Sequence, residues 1–162
     1  MESRDMTERD FEQRLKRIED IEEIRTLRMT YHYYINEGMF DRMSELFTED
    51  GALDFGYIAK ASGREEIRQT FLKLPNNAQF VKQFIHNHLV QLDGDSATGV
   101  CYLDARYAQE GESLIVAAKF DEIYRRTAEG WRIQLMKVET YFSVPIAEGW
   151  AGPDLDRVKA WK

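Results

Sequence analysis

Three histidines, one cysteine and a concentration of tyrosines carry most of the chemistry open to this 162-residue chain. His86 and His88 form an H-x-H pair within an apolar, β-branched run. Strand alternation predicts both imidazoles on one face. Such a pair chelates a metal when a third ligand arrives from elsewhere, and Asp104 or Glu139 could supply one, although no spacing requires it. The same rings suit general acid–base work, because an unperturbed imidazole titrates near neutrality. A third reading turns both rings outward, at a subunit interface. Of the two, His86 is the favoured functional candidate, and no metal is assigned.

Tyr31, His32, Tyr33 and Tyr34 stand in a row. On a helix, Tyr31, Tyr34 and Ile35 share a face while His32 and Tyr33 diverge from it. A buried Tyr31 needs a partner for its hydroxyl, from the protein or from a ligand. Cys101 reads as a small core hydrophobe without a nucleophile's partners. Arg106, Lys119, Lys137 and Glu139 lie in otherwise apolar strand-like segments, and most of them belong on the solvent face of a one-sided sheet.

The elements that must position these residues fall into two halves. Thr7 and Asp10 have capping-box spacing, and Leu15, Ile18, Ile21, Ile24, Leu27 and Tyr31 then recur at threes and fours. One long amphipathic helix follows, with Glu and Arg on its other face and Gly38 as its stop. A shorter helix carries Met39, Phe40, Met43, Leu46 and Phe47. Ala52 to Tyr57 reads as a short strand, and Ser62-Gly63-Arg64-Glu65 opens a third helix that ends at Leu74-Pro75-Asn76-Asn77. Four strands follow, Phe80 to Leu92, Ala97 to Ala108, Ser113 to Arg126 and Trp131 to Phe142, separated by glycine turns. The tail from Ser143 is expected to be irregular. Helices first and an antiparallel meander second argue for an α+β domain whose curved sheet wraps around the helices as a cone. Cones of this type hold one small apolar ligand.

Composition removes several classes of function. A net charge of −7 gives no basic surface for nucleic acid. No apolar run approaches a membrane span, and the first residues do not resemble a signal peptide. With 43% hydrophobic and 12% aromatic residues, one domain over 1–162 has ample core material. A single cysteine permits no intrachain disulfide and fits a reducing, cytoplasmic setting.

Four segments carry a resemblance: Asp20 to Leu27, Met39 to Asp50, Asn87 to Ala97, and Tyr124-Arg125-Arg126 with Gly130-Trp131-Arg132-Ile133. Over residues 18–142 the chain resembles the SnoaL-like family of the nuclear-transport-factor-two superfamily. That family includes scytalone dehydratase, bile-acid 7α-dehydratase, a dehydrochlorinase and deformylating diarylpropane lyases. The resemblance implies a cystatin-like α+β roll, an apolar pocket and a homo-oligomer, with a trimer favoured over a dimer. It also implies elimination without a cofactor, from a small hydrophobic or aromatic substrate. By the same resemblance Tyr31 matches a family tyrosine. Asn36 stands where the family has a catalytic Asp, Gln83 where it has a catalytic His, and Ala105 where it has a strand Asp. The expected catalytic set is Tyr31, His86, Asn36 and Gln83, the two amides orienting. The expected substrate contacts are Tyr34, Phe55, His88, Tyr107, Lys119, Glu139 and Tyr141. A non-catalytic ligand binder, or a small subunit like that of ring-hydroxylating dioxygenases, is the alternative.

Overall fold

The computed structural model describes residues 7–56, 58–74 and 78–151. Helix α1 spans Glu8–Glu37. The capping box is present: the Asp10 amide donates to Thr7 Oγ1 and the Thr7 amide to an Asp10 carboxylate oxygen, both at 3.2 Å. The helix ends on Gly38 in the left-handed region (φ 70°), its amide donating to the carbonyls of the last turn. A 3-10 helix, Phe40–Leu46, takes the place of the expected second α-helix. Strand β1, Phe47–Asp54, begins earlier than expected, and Tyr57, the expected strand end, lies outside the described residues. A short strand that sequence reading missed, β2 (Lys60–Ser62), pairs with β1 antiparallel. Helix α2, Arg64–Leu72, starts from Gly63 without a side-chain cap. The proline-asparagine turn expected after α2 falls mostly outside the described residues.

Strands β3 (Phe80–Asp93), β4 (Ser96–Gln109), β5 (Glu112–Thr127) and β6 (Gly130–Pro145) form the antiparallel meander. β6 runs on through Ser143 and Val144, so the tail expected to be irregular begins as strand. β1 pairs parallel to β6, giving the order β2-β1-β6-β5-β4-β3. The curved sheet is not closed, with β2 and β3 as its edges, and the architecture is the expected α+β cone.

The last five turns of α1 fill the concave side of the sheet. Ile24, Leu27, Tyr31 and Ile35 are buried there, but Leu15 and Ile18 from the same predicted stripe are exposed. The stripe is solvated at its start because the sheet first meets α1 at Asp20. Trp131 Nε1 donates to Asp20 Oδ1 at 3.3 Å, and Arg126 Nη2 meets Oδ2 at 2.6 Å. The Arg126 guanidinium holds the Asp20 carboxyl below the usual carboxylate range. Between Asp20 and Gly38, every inward side chain of α1 faces the interior of the cone, and that positions the site.

Candidate functional site

Strand β5 sends Ala118, Phe120, Glu122 and Tyr124 inward and Lys119, Asp121, Ile123 and Arg125 outward. Burying Glu122 requires a counter-charge, and α1 provides it. Arg28 Nε lies 2.8 Å from Glu122 Oε1, with neither side chain exposed. Burial raises the Glu122 carboxyl against the pull of Arg28, whereas Arg28, opposed by burial but held by Glu122, stays protonated. The guanidinium lies over the Tyr31 ring at 4.6 Å and the Phe120 ring at 4.2 Å, and its Nε also approaches Cys101 Sγ at 3.5 Å.

Tyr124 extends this pair. Its hydroxyl donates to the second oxygen of Glu122 and lies 3.2 Å from His88 Nε2. A phenol has one proton, so the donor in the His88 contact is the imidazole. That fixes His88 as the Nε2–H tautomer, with a lone pair on Nδ1. Burial, then the Arg28 and Arg25 charges, push the His88 pKa down to about 4, leaving the ring neutral near pH 7. A neutral imidazole whose Nε2 is held by a hydroxyl that is itself held by a carboxylate has the parts of a general base.

The H-x-H expectation is corrected here. Asn87 adopts φ 54°, the pairing with β4 shifts between His86 and Leu89, and this bulge breaks the alternation. His86 sits opposite Tyr102 and is exposed on the outer face, while His88 turns inward to Tyr124. The two imidazoles cannot share an ion. Among the described residues, no group of three His, Cys, Asp or Glu is arranged to hold one.

The other expected residues divide. Tyr31 is buried, its rings-and-cation neighbours being His32, Phe71, Phe120 and Arg28, and burial raises its hydroxyl above the ordinary value. Gln83 is buried and donates from Nε2 to the Tyr107 hydroxyl at 2.5 Å, so β3 and β4 bring these two together. Asn36 is committed to the backbone: its Nδ2 donates to the Gln83 carbonyl at 2.8 Å, and its Oδ1 accepts the Gln83 amide at 2.7 Å. It clips α1 to β3 and thereby positions Gln83. Tyr34 is buried beneath the Arg42 guanidinium, and Phe55 packs edge-on to Phe71. Lys119, Glu139 and Tyr141 are not brought to the interior. Lys119 pairs with Asp121 and Glu139 on the outer face, and Tyr141 sits at a bulge of β6 near Tyr102 and Lys119.

Sequence reading missed Arg28, His32, Glu122 and Tyr124. His32 was expected to diverge from the buried face, yet it is 5% exposed, its ring edge-on to Tyr31 and Phe120. Burial and then Arg28 push its pKa down to about 2. One signal was available for Glu122: it holds an inward position by strict alternation with Phe120 and Tyr124.

This architecture recurs among known proteins. A structure from Novosphingobium aromaticivorans, described as NTF2-like with a cystatin-like fold, is 28% identical, with a TM-score of 0.71 over 84% of this chain and 90% of that one. Hexachlorocyclohexane dehydrochlorinase from Novosphingobium barchaimii superposes with a TM-score of 0.77 over 86% of this chain and 98% of that one, at 15% identity. An uncharacterized protein of Mycobacterium tuberculosis is 28% identical over 127 residues, 76% of this chain and 86% of its own length. The SnoaL-like domain matches residues 16–137, from the α1 turn before Asp20 to the outward Lys137 of β6. By that match, which takes in every inward residue of the buried network, the chain belongs to the SnoaL-like family.

Proposed function

We propose that the protein is a cofactor-independent lyase that eliminates water or formaldehyde from a small hydroxylated aromatic or polycyclic substrate inside the cone. The observation that carries this reading is the Glu122–Tyr124–His88 chain, which orients a neutral imidazole in an aromatic interior. In dehydration, His88 takes a proton from carbon, the C–H electrons form the double bond, and the C–O bond breaks as Tyr31 protonates the leaving hydroxide. In deformylation, His88 takes the hydroxyl proton, the C–C bond breaks to release formaldehyde, and Tyr31 protonates the carbon. Either way His88 gains a proton from the substrate and Tyr31 gives one to the departing group or carbon, and a proton passed from His88 back to Tyr31 through solvent closes the cycle. Gln83 orients the substrate, and Asn36 positions Gln83. Phe71 and Phe120 beside Tyr31 supply aromatic surface.

The test is incubation of chelator-treated protein with hydroxylated diarylpropanes, hydroxynaphthols and hydroxysteroids, read by mass spectrometry. Loss of water or formaldehyde from one class is the expected result. The amides at positions 36 and 83, which stand where the family resemblance implies a carboxylate and an imidazole, favour a second reading as a ligand binder. Compounds that raise the melting temperature yet stay unchanged would support that reading. A homo-oligomer, trimeric before dimeric, accompanies the proposal. Exposed Phe84, Tyr102 and Ile123 on the outer face of the sheet support it.

A further inference from the structure

We propose that Arg28 anchors the oxygen of a charge-delocalised oxyanion, a phenolate or enolate, on its two Nη groups. The inference rests on reading the interior of the cone as the ligand site. Among the described residues, Nε alone of the Arg28 nitrogens is engaged, by Glu122 and the Cys101 sulfur. Nη1 and Nη2 are fully buried, and no acceptor among the described residues reaches either of them. The rings of Tyr31 and Phe120 lie against the guanidinium, so an acceptor must approach along its in-plane edge, where the N–H bonds point. Buried N–H groups of a cation left without an acceptor cost several kcal/mol in general, so this arrangement is stable only when something accepts from them.

The class of acceptor follows from counting donors. Arg28, the Tyr124 hydroxyl and, through it, the His88 Nε2–H all converge on one carboxylate, Glu122. His32 adds one N–H, and the unpaired buried Oε1 of Gln83, which interacts with the His32 ring, is the acceptor set against it. With the His32 N–H set against Gln83 Oε1, the Nη groups of Arg28 remain as the excess of donors, which favours a ligand oxygen bearing negative charge. Glu122 already balances the Arg28 charge, so a compact anion such as phosphate would bring an uncompensated localised charge into a low-dielectric interior. A phenolate or enolate spreads its charge into a ring or chain that the surrounding aromatic side chains accommodate.

The probe is 4-nitrophenol, whose phenolate form has its own visible absorption band, with 4-nitroanisole as the ether that cannot ionise. The expected result is that the protein binds the phenol as phenolate, at a pH where the free phenol is largely protonated, and at least about tenfold more tightly than the ether. The Arg28→Met/Glu122→Gln double variant removes both charges without stranding one and should lose that preference. If it fails to fold, the wild-type comparison still decides. Equal affinity for phenol and ether, a bound phenol that stays protonated, or no binding of the phenol overturns the proposal. Phenolate capture without turnover of any lyase substrate would leave this inference standing and defeat the lyase reading. Turnover without a preference for the phenolate would do the reverse.

Discussion

Glu122 and Arg28 are both fully buried, so their energetics are set by what happens when one is left alone. Arg28→Met strands a carboxylate and should cost about 3–5 kcal/mol in urea unfolding, whereas Arg28→Met/Glu122→Gln should cost clearly less than either single change. A double-variant loss equal to the sum of the two single losses would show that the pair is not coupled. Tyr124→Phe removes the hydroxyl between Glu122 and His88, and turnover should fall by about 10²-fold with little change in KM. Arg28 does not announce its role in the sequence, since an Arg on a helix with many solvated charges reads as surface. Glu122 has one marker, its alternation with Phe120 and Tyr124, set against charged Asp121 beside it. Only the curvature of the sheet puts them face to face. Tyr31 was legible because it lies on the apolar stripe of α1.

At the scale of elements, the strands were legible and their faces were not. Asp93-Gly94, Glu110-Gly111 and Glu129-Gly130 mark the hairpins within a residue or two, since a glycine at positive φ is what such turns require. The bulge at Asn87 has no comparable marker. One asparagine in the left-handed region shifts the register and turns His88 inward while His86 stays on the outer face. Asn87→Gly, compatible with φ 54°, should leave stability within about 0.5 kcal/mol, and Asn87→Val should cost about 1–2 kcal/mol in thermal unfolding. Gly99 is the matching constraint on β4. A Cβ there would stand 2.7 Å from Tyr124 Cε2 and 3.1 Å from His88 Nε2. Gly99→Ala should therefore cost about 1–3 kcal/mol and reduce turnover by displacing the His88–Tyr124 contact; an unimpaired variant would show that this contact is not needed.

For the whole molecule, the two interior histidines predict a stability profile. Both have folded-state values below the ordinary 6.5, His88 near 4 and His32 near 2. Between about pH 6.5 and 4 the unfolded chain binds protons that the folded chain does not, so stability falls as pH falls through that window. At pH 5 the loss relative to neutral pH should be about 2 kcal/mol per histidine, measured by urea unfolding. A flat profile from pH 7 to 5 would mean that the rings are not held neutral. Light scattering should return a mass near three chains, and a monomer would remove the trimer from the account.

The most direct measurement compares His86→Ala with His88→Ala in the chelator-treated substrate assay. His86→Ala is expected to keep near-normal turnover while His88→Ala loses at least about 10²-fold, both variants remaining folded. Loss of activity in His86→Ala with full activity in His88→Ala would contradict it.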